Sequence, residues 1–214
     1  MGHDIFTPTY TGLGERGHLA HAGIDLASHI QDIVAVLECE DLGGVILIGH
    51  SYGGMVATGV AARVPERVAQ LVYLDAFVPQ GGQSVFDLMP GEASAAMRRL
   101  AAETGDGWKI PPNPMPPDTP PADLAWAVPR RLPQPIRAFA DPLALPAGEP
   151  STPRSYIYCT RIGPFDVFGP FAQRAQRDPG WRYFEIDASH NPHITAPQAL
   201  ADLLDRIAAQ APES

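Results

Sequence analysis

A single lysine, Lys109, and two cysteines, Cys39 and Cys159, are all that this 214-residue chain holds of either residue type. Lys+Arg 15 against Asp+Glu 24 gives a formal net charge of -9, and no cluster of basic residues interrupts the acidic balance. Binding to a nucleic-acid backbone rests on such a cluster, which releases condensed counterions, so a nucleic-acid partner is excluded. The two cysteines are far apart and match no metal-ligand spacing; both are expected as small, reduced, buried side chains. Apolar runs are short, as in Val45-Ile46-Leu47-Ile48, against the roughly 18 residues that cross a bilayer, so no membrane span is expected. Met1-Gly2-His3-Asp4-Ile5-Phe6 has neither a basic nor an apolar targeting region. A cytoplasmic protein without disulfides is the expectation.

What the chain does hold is enough apolar residue, 45%, for one sizeable core, and its length suits one domain over residues 1–214. The hydrophobic pattern alternates between two periods. Asp4 to Thr9 reads as a short strand, followed by a turn through Thr11-Gly12-Leu13-Gly14-Glu15-Arg16. Ile24, Leu26, Ile30, Ile33, Val34 and Leu37 recur at helical spacing, with Asp25, His29 and Asp32 between them. Val45–Ile48 and Leu71–Leu74 are β-branched runs of the kind buried on both faces of a parallel sheet, and Met55–Arg63 between them reads as a helix. Tyr156–Cys159 and Arg182–Ile186 read as later strands, and Leu200, Leu203, Leu204 and Ile207 as the apolar stripe of a last helix from about Pro197. Such alternation predicts a parallel sheet with helices on both faces. Residues 80–150 break it: 15 of the 24 prolines lie between Pro79 and Pro150. A long proline-rich insertion reads as a lid or binding loop, with short helices near Ala93–Glu103 and Pro121–Ala127.

The sharpest motif is Gly49-His50-Ser51-Tyr52-Gly53, a G-x-S-x-G set between a strand and a helix. There the serine takes a strained backbone conformation, its Oγ projects beyond the strand ends, and side chains at Gly49 or Gly53 are expected to collide with the neighbouring elements. The Tyr52 N–H, at the helix start, is placed to donate to an oxyanion. A serine hydroxyl needs a base, and His190, which follows the last strand and precedes Pro192, is the candidate ahead of His193. The plain alternative is a glycine-rich turn with an incidental serine. His18, His21 and His29 lack acidic or cysteine partners at metal-binding spacing and read as solvated or capping residues, with no metal site. Trp108, Trp126 and Met115 are candidate substrate-binding residues, or else ordinary packing of the insertion.

These residues, with Pro8-Thr9-Tyr10-Thr11-Gly12-Leu13-Gly14-Glu15-Arg16 and Leu71-Val72-Tyr73-Leu74-Asp75-Ala76-Phe77-Val78-Pro79, carry a resemblance over nearly the whole chain. The chain resembles the serine α/β-hydrolase superfamily, in particular the small carboxylesterase branch related to plant methyl esterases and hydroxynitrile lyases. The resemblance implies an α/β-hydrolase fold, a Ser-His-acid triad, an acyl-enzyme, a small-molecule ester substrate and no cofactor. Two departures go with it. The acid usually follows the penultimate strand, but here Asp166 comes late after Cys159; Asp75, at the end of the strand after the motif, is preferred, with Asp166 as the alternative. Family chains also open with a strand, a His-Gly loop that supplies the other oxyanion N–H, and a covering helix, none of which is found before Asp4. The expectation is an N-terminally truncated version of the fold with one oxyanion donor fewer and an apolar surface that favours a homodimer. Three functions fit: hydrolysis of small or medium carboxylic esters, a hydroxynitrile-lyase-like C–C lyase, or a non-catalytic binder of a small ligand. The lyases of that branch place a lysine near the histidine and Lys109 is remote in sequence, which favours ester hydrolysis.

Overall fold

The computed structural model describes residues 2–145, 148–163 and 166–210. Met1 and residues 211–214, at the ends of the expected single unit, and residues 146–147 of the expected lid lie outside them. In chain order the principal elements are α1 (Leu26–Cys39), β1 (Val45–Ser51), α2 (Gly53–Arg63), β2 (Val68–Ala76), α3 (Val85–Leu88), α4 (Gly91–Thr104), β3 (Lys109–Ile110), α5 (Pro121–Ala127), β4 (Gln134–Pro135), α6 (Arg137–Ala140), β5 (Arg154–Cys159), α7 (Gly169–Arg177), β6 (Trp181–Ile186), α8 (Pro192–Thr195) and α9 (Pro197–Ala208).

The alternating pattern becomes a four-stranded sheet of order β1-β2-β5-β6 in which every neighbouring pair is parallel. Successive side chains of a strand point to opposite faces, and β2 shows what that does in a sheet covered on both sides. Its Leu71 and Tyr73 enter the larger core, with Leu37 of α1, Val60 of α2 and Ala172 of α7. Val72 and Leu74 enter a second core, with Leu200, Leu203 and Ile207 of α9. The continuous run Leu71–Leu74 is therefore apolar because neither face meets water. α2 lies between the sheet and α1, and Met55, Val56, Val60 and Ala61 are each at most 1% exposed; truncating a side chain such as Met55 to alanine costs about 2–5 kcal/mol.

Caps set the helix boundaries. Asp25 accepts from the Ser28 N–H at the start of α1 while Ser28 Oγ accepts from the Asp25 N–H, a reciprocal capping box that satisfies two otherwise orphaned donors. The turn before it is tied down by charge: Thr11 donates through N–H and hydroxyl to Asp32 (2.6 and 2.7 Å), and Arg16 reaches the Thr9 carbonyl and Asp32. Gly12, at φ 86°, supplies the left-handed backbone that this turn needs.

Two expectations are corrected. Asp4–Thr9 is not a strand: the segment is exposed and pairs with no ladder, since β1 is an edge of the sheet among the described residues. A β-rich run that is not laid along a sheet edge forms no strand, whatever its propensity. Cys39, expected inside, is exposed at the end of α1, whereas Cys159 is buried. Between β2 and β5, the expected helices are present as α4 and α5, accompanied by a two-stranded antiparallel ladder of β3 with β4. No helix among the described residues is long and apolar enough to cross a membrane.

Candidate active site

The C-terminal ends of adjacent parallel strands bring the site together. Ser51 closes β1 and pairs in register with Ala76, next to Asp75 in β2; the Phe77 N–H donates to the Ser51 carbonyl at 3.2 Å. Ser51 has φ 56°, left-handed for a residue with a Cβ, which turns Oγ out of the sheet and directs the chain into α2. His190 sits in the connection from β6 to α8. Its Nε2 lies 3.0 Å from Ser51 Oγ and its Nδ1 2.7 Å from Asp75 Oδ2. A carboxylate only accepts, so Nδ1 carries the proton and donates to Asp75, and Nε2 is left to accept from the serine hydroxyl.

Asp75 is only 5% exposed, and its second oxygen, Oδ1, accepts from the Cys159 N–H at 3.3 Å. Like Ser51 it has a left-handed backbone, φ 43°. Asp166 is elsewhere: it accepts from the Tyr158 hydroxyl at 2.8 Å and the Gly169 N–H at 2.6 Å, on the cavity wall and with no hydrogen bond to His190 among the described residues. The structure thus brings Ser51, His190 and Asp75 into one hydrogen-bonded line and leaves Asp166 outside it. His193, the competitor, is exposed, with its ring edge-on to His50 at 5.1 Å.

The glycine argument needs correction. A Cβ on Gly49 would lie 2.5 Å from the Gly53 carbonyl oxygen, as expected, but one on Gly53 would meet nothing nearer than the Tyr10 hydroxyl at 3.6 Å. The tight position is Gly54, where a Cβ would run into the carbonyl oxygen of Phe77. That glycine lets α2 pass directly against the end of β2.

His29 is also corrected. It is neither solvated nor a cap but fully buried, accepting through Nδ1 from the Tyr52 hydroxyl at 2.8 Å and donating through Nε2 to the Thr11 carbonyl at 3.2 Å. Burial holds its pKa below the usual histidine value. Tyr10 stacks on His29 at 4.8 Å and Phe139 on Tyr52 at 5.2 Å. The residue whose N–H opens α2 beside the serine is thereby clamped by its own side chain. The helical spacing held a signal: His29 stands three residues after Leu26 and four before Ile33, on the apolar stripe itself.

Sequence reading also passed over His50. Its Nε2 is 2.6 Å from the His190 carbonyl oxygen and its ring lies 4.6 Å from that of His190. Burial, with His190 and His193 adjacent, pushes its pKa down to about 3, so it is neutral and donates through Nε2.

Around the serine lies a cavity of about 890 Å³, within the range of small-molecule sites. Met115 is on its wall, along with Met89, Met97, Ile110, Phe139 and Phe168. Trp108 and Trp126 are not: Lys109 covers the ring of the first, and Trp126, 60% exposed, lies under Arg130. Cys159 borders the cavity too, but burial and the Asp75 carboxylate raise its thiol pKa far above the usual range, so it stays protonated and does not compete as a nucleophile.

Comparisons with known proteins place the fold in a family. A curated esterase that hydrolyses carbendazim, from Nocardioides sp. (strain SG-4G), is 36% identical over 95% of this chain and 87% of its own length. A solved extracellular alpha/beta-hydrolase from a Paenibacillus species, described as sharing structural and functional homology with tobacco salicylic acid binding protein 2, superposes with a TM-score of 0.80 at 27% identity, covering 96% of this chain and 87% of that one. A methylesterase from Arabidopsis shares the fold at TM-score 0.65 and 22% identity, over 94% of this chain and 84% of its own. The alpha/beta hydrolase family profile matches residues 1–203. A serine on a left-handed turn between a parallel strand and a helix is thus placed in its lineage, and the chain belongs to the alpha/beta hydrolase family.

Proposed function

We propose that the chain is a serine carboxylesterase for small or medium carboxylic esters, working through an acyl-enzyme. The observation that carries the reading is the unbroken line from Ser51 Oγ through His190 to Asp75, at 3.0 and 2.7 Å. The esterase relative that covers nearly the whole chain supports it.

In this mechanism His190 Nε2 takes the Ser51 proton as Oγ attacks the ester carbonyl, and Asp75 stabilises the imidazolium formed. The Tyr52 N–H donates to the developing oxyanion, held in place by the clamp on its side chain. His190 then protonates the departing alkoxide, leaving Ser51 acylated. Water, deprotonated by His190, attacks the acyl group; the carboxylic acid leaves and Ser51 regains its proton. The proline-rich stretch 80–150 serves as the lid that supplies most of the apolar wall and so selects the ester.

Fluorophosphonate labelling of the 214-residue chain, with the adduct located by mass spectrometry, tests the nucleophile. Modification of Ser51 and loss of short p-nitrophenyl ester hydrolysis in Ser51→Ala are expected. A Ser51→Ala variant as fast as its parent would sink the reading.

A further inference from the structure

The cavity that holds Ser51 has three arginines and three aspartates on its walls, and only Arg161 and Asp118 form an ion pair with each other. Asp75 is engaged by His190 and the Cys159 N–H. Asp166 accepts from Tyr158 and Gly169. Asp118 faces Arg161 at 3.8 Å, and Arg161 is further neutralised by two hydrogen bonds to Asp187, at 2.8 and 2.9 Å. Arg130 is exposed and rests on the ring of Trp126.

Arg131 remains. It borders the cavity and is only partly exposed, and no carboxylate pairs with it among the described residues. The one described hydrogen bond of its side chain goes from Nη1 to the Asn113 carbonyl, also on the cavity wall. Partial burial lowers its pKa, and the guanidinium is partly withdrawn from water with no carboxylate in ion-pair contact among the described residues. That arrangement costs free energy in the empty protein and is recovered when an anion arrives. A guanidinium presents five donors in a planar fork, of which one is spent on Asn113, and its geometry matches a carboxylate. The surrounding wall of Met115, Ile110 and prolines suits the alkyl or aryl part of the same molecule.

We propose that Arg131 forms a subsite for a carboxylate borne by the ester substrate, so that the preferred substrates are esters with a second, free acid group, such as monoesters of dicarboxylic acids. The proposal rests on the esterase reading of the same cavity. Arg131 and Ser51 line the same cavity, so the binding energy of a carboxylate held at Arg131 would go to orienting an ester carbonyl of the same molecule at Ser51.

The test compares 4-nitrophenyl hydrogen adipate and pimelate with the neutral 4-nitrophenyl hexanoate and heptanoate. The parent is expected to show kcat/KM at least tenfold higher for the acid esters. Arg131→Gln should lower that value by about 10–100-fold for the acid esters and leave the neutral esters within about threefold, with Arg131→Lys intermediate. Equal losses on both series, or no preference in the parent, would overturn the subsite. Calorimetric titration of Ser51→Ala with monomethyl adipate reads the site without turnover: at least tenfold weaker binding in Ser51→Ala/Arg131→Gln sustains the proposal even where no ester is cleaved, a result that would instead count against the esterase. Equal affinities would overturn the subsite alone. Unfolding midpoints of Arg131→Gln and Arg131→Lys close to that of the parent show that folding is not the cause.

Discussion

His50 Nε2 donates to the carbonyl oxygen of His190 at 2.6 Å, so the side chain next to Ser51 holds the main chain of the loop that carries the His190 imidazole. The position of that imidazole is therefore set from the serine's own strand. His50→Ala is expected to lower kcat by about 10–100-fold while KM changes little, because a misplaced base costs rate more than binding. Steady-state kinetics on a p-nitrophenyl ester checks this, and an unchanged kcat would mean that the loop is held by other contacts.

The two aspartates separate cleanly by substitution. Asp75→Asn should lower kcat by about 10³–10⁴, since an amide at that position no longer selects the Nδ1–H tautomer of His190. Asp166→Asn removes a carboxylate that holds Tyr158 and Gly169, so kcat should stay within about threefold while thermal stability falls. Comparable kcat losses in both variants would undo the assignment.

Burial of neutral histidines ties stability to pH. The folded pKa of His50 is about 3 and that of His29 is lowered, against 6.5 for a free histidine. Below pH 6.5 the unfolded chain takes up protons that the folded chain refuses, so stability falls as the pH falls. It is fully retained above that value. At pH 5 the loss from His50 is about 2 kcal/mol. Urea midpoints between pH 7.5 and 5 should decrease steadily in the parent and more shallowly in His50→Gln. Parallel slopes would contradict the shift.

Neighbouring glycines predict opposite outcomes. Gly54→Ala forces a methyl group into the Phe77 carbonyl and should cost about 3 kcal/mol or more, with loss of activity. Gly53→Ala has open space in front of it and lies at the first position of α2, so it should unfold within about 1 kcal/mol of the parent. Denaturant curves on both variants decide the matter.

These contrasts show what is and is not legible in a linear sequence. Period and punctuation located α1, β1, α2, β2, β5, β6 and α9, because each buries a regular stripe against the same sheet. Ser51 and His190 were legible through a strand-turn-helix setting and a position after the last strand. Asp75 was visible as an acid at a strand end. The roles of His29, His50 and Gly54 were not, for a common physical reason: each is defined by a partner distant in the chain. Tyr52 lies 23 residues after His29, and His190 lies 140 residues after His50. The methyl group that Gly54 excludes would strike the end of another element. Asp4–Thr9 failed the other way, having the composition of a strand but pairing with no strand of the sheet.

Ser51, Asp75 and His190 stand on strand ends or directly after one, whereas the wall facing them is drawn mostly from one continuous stretch, 89 to 139. The hydrogen-bonded line and the wall that faces it are therefore written in separate parts of the sequence. Substitutions between Met89 and Phe139 would reshape the cavity wall and leave the hydrogen-bonded line from Ser51 to Asp75 untouched.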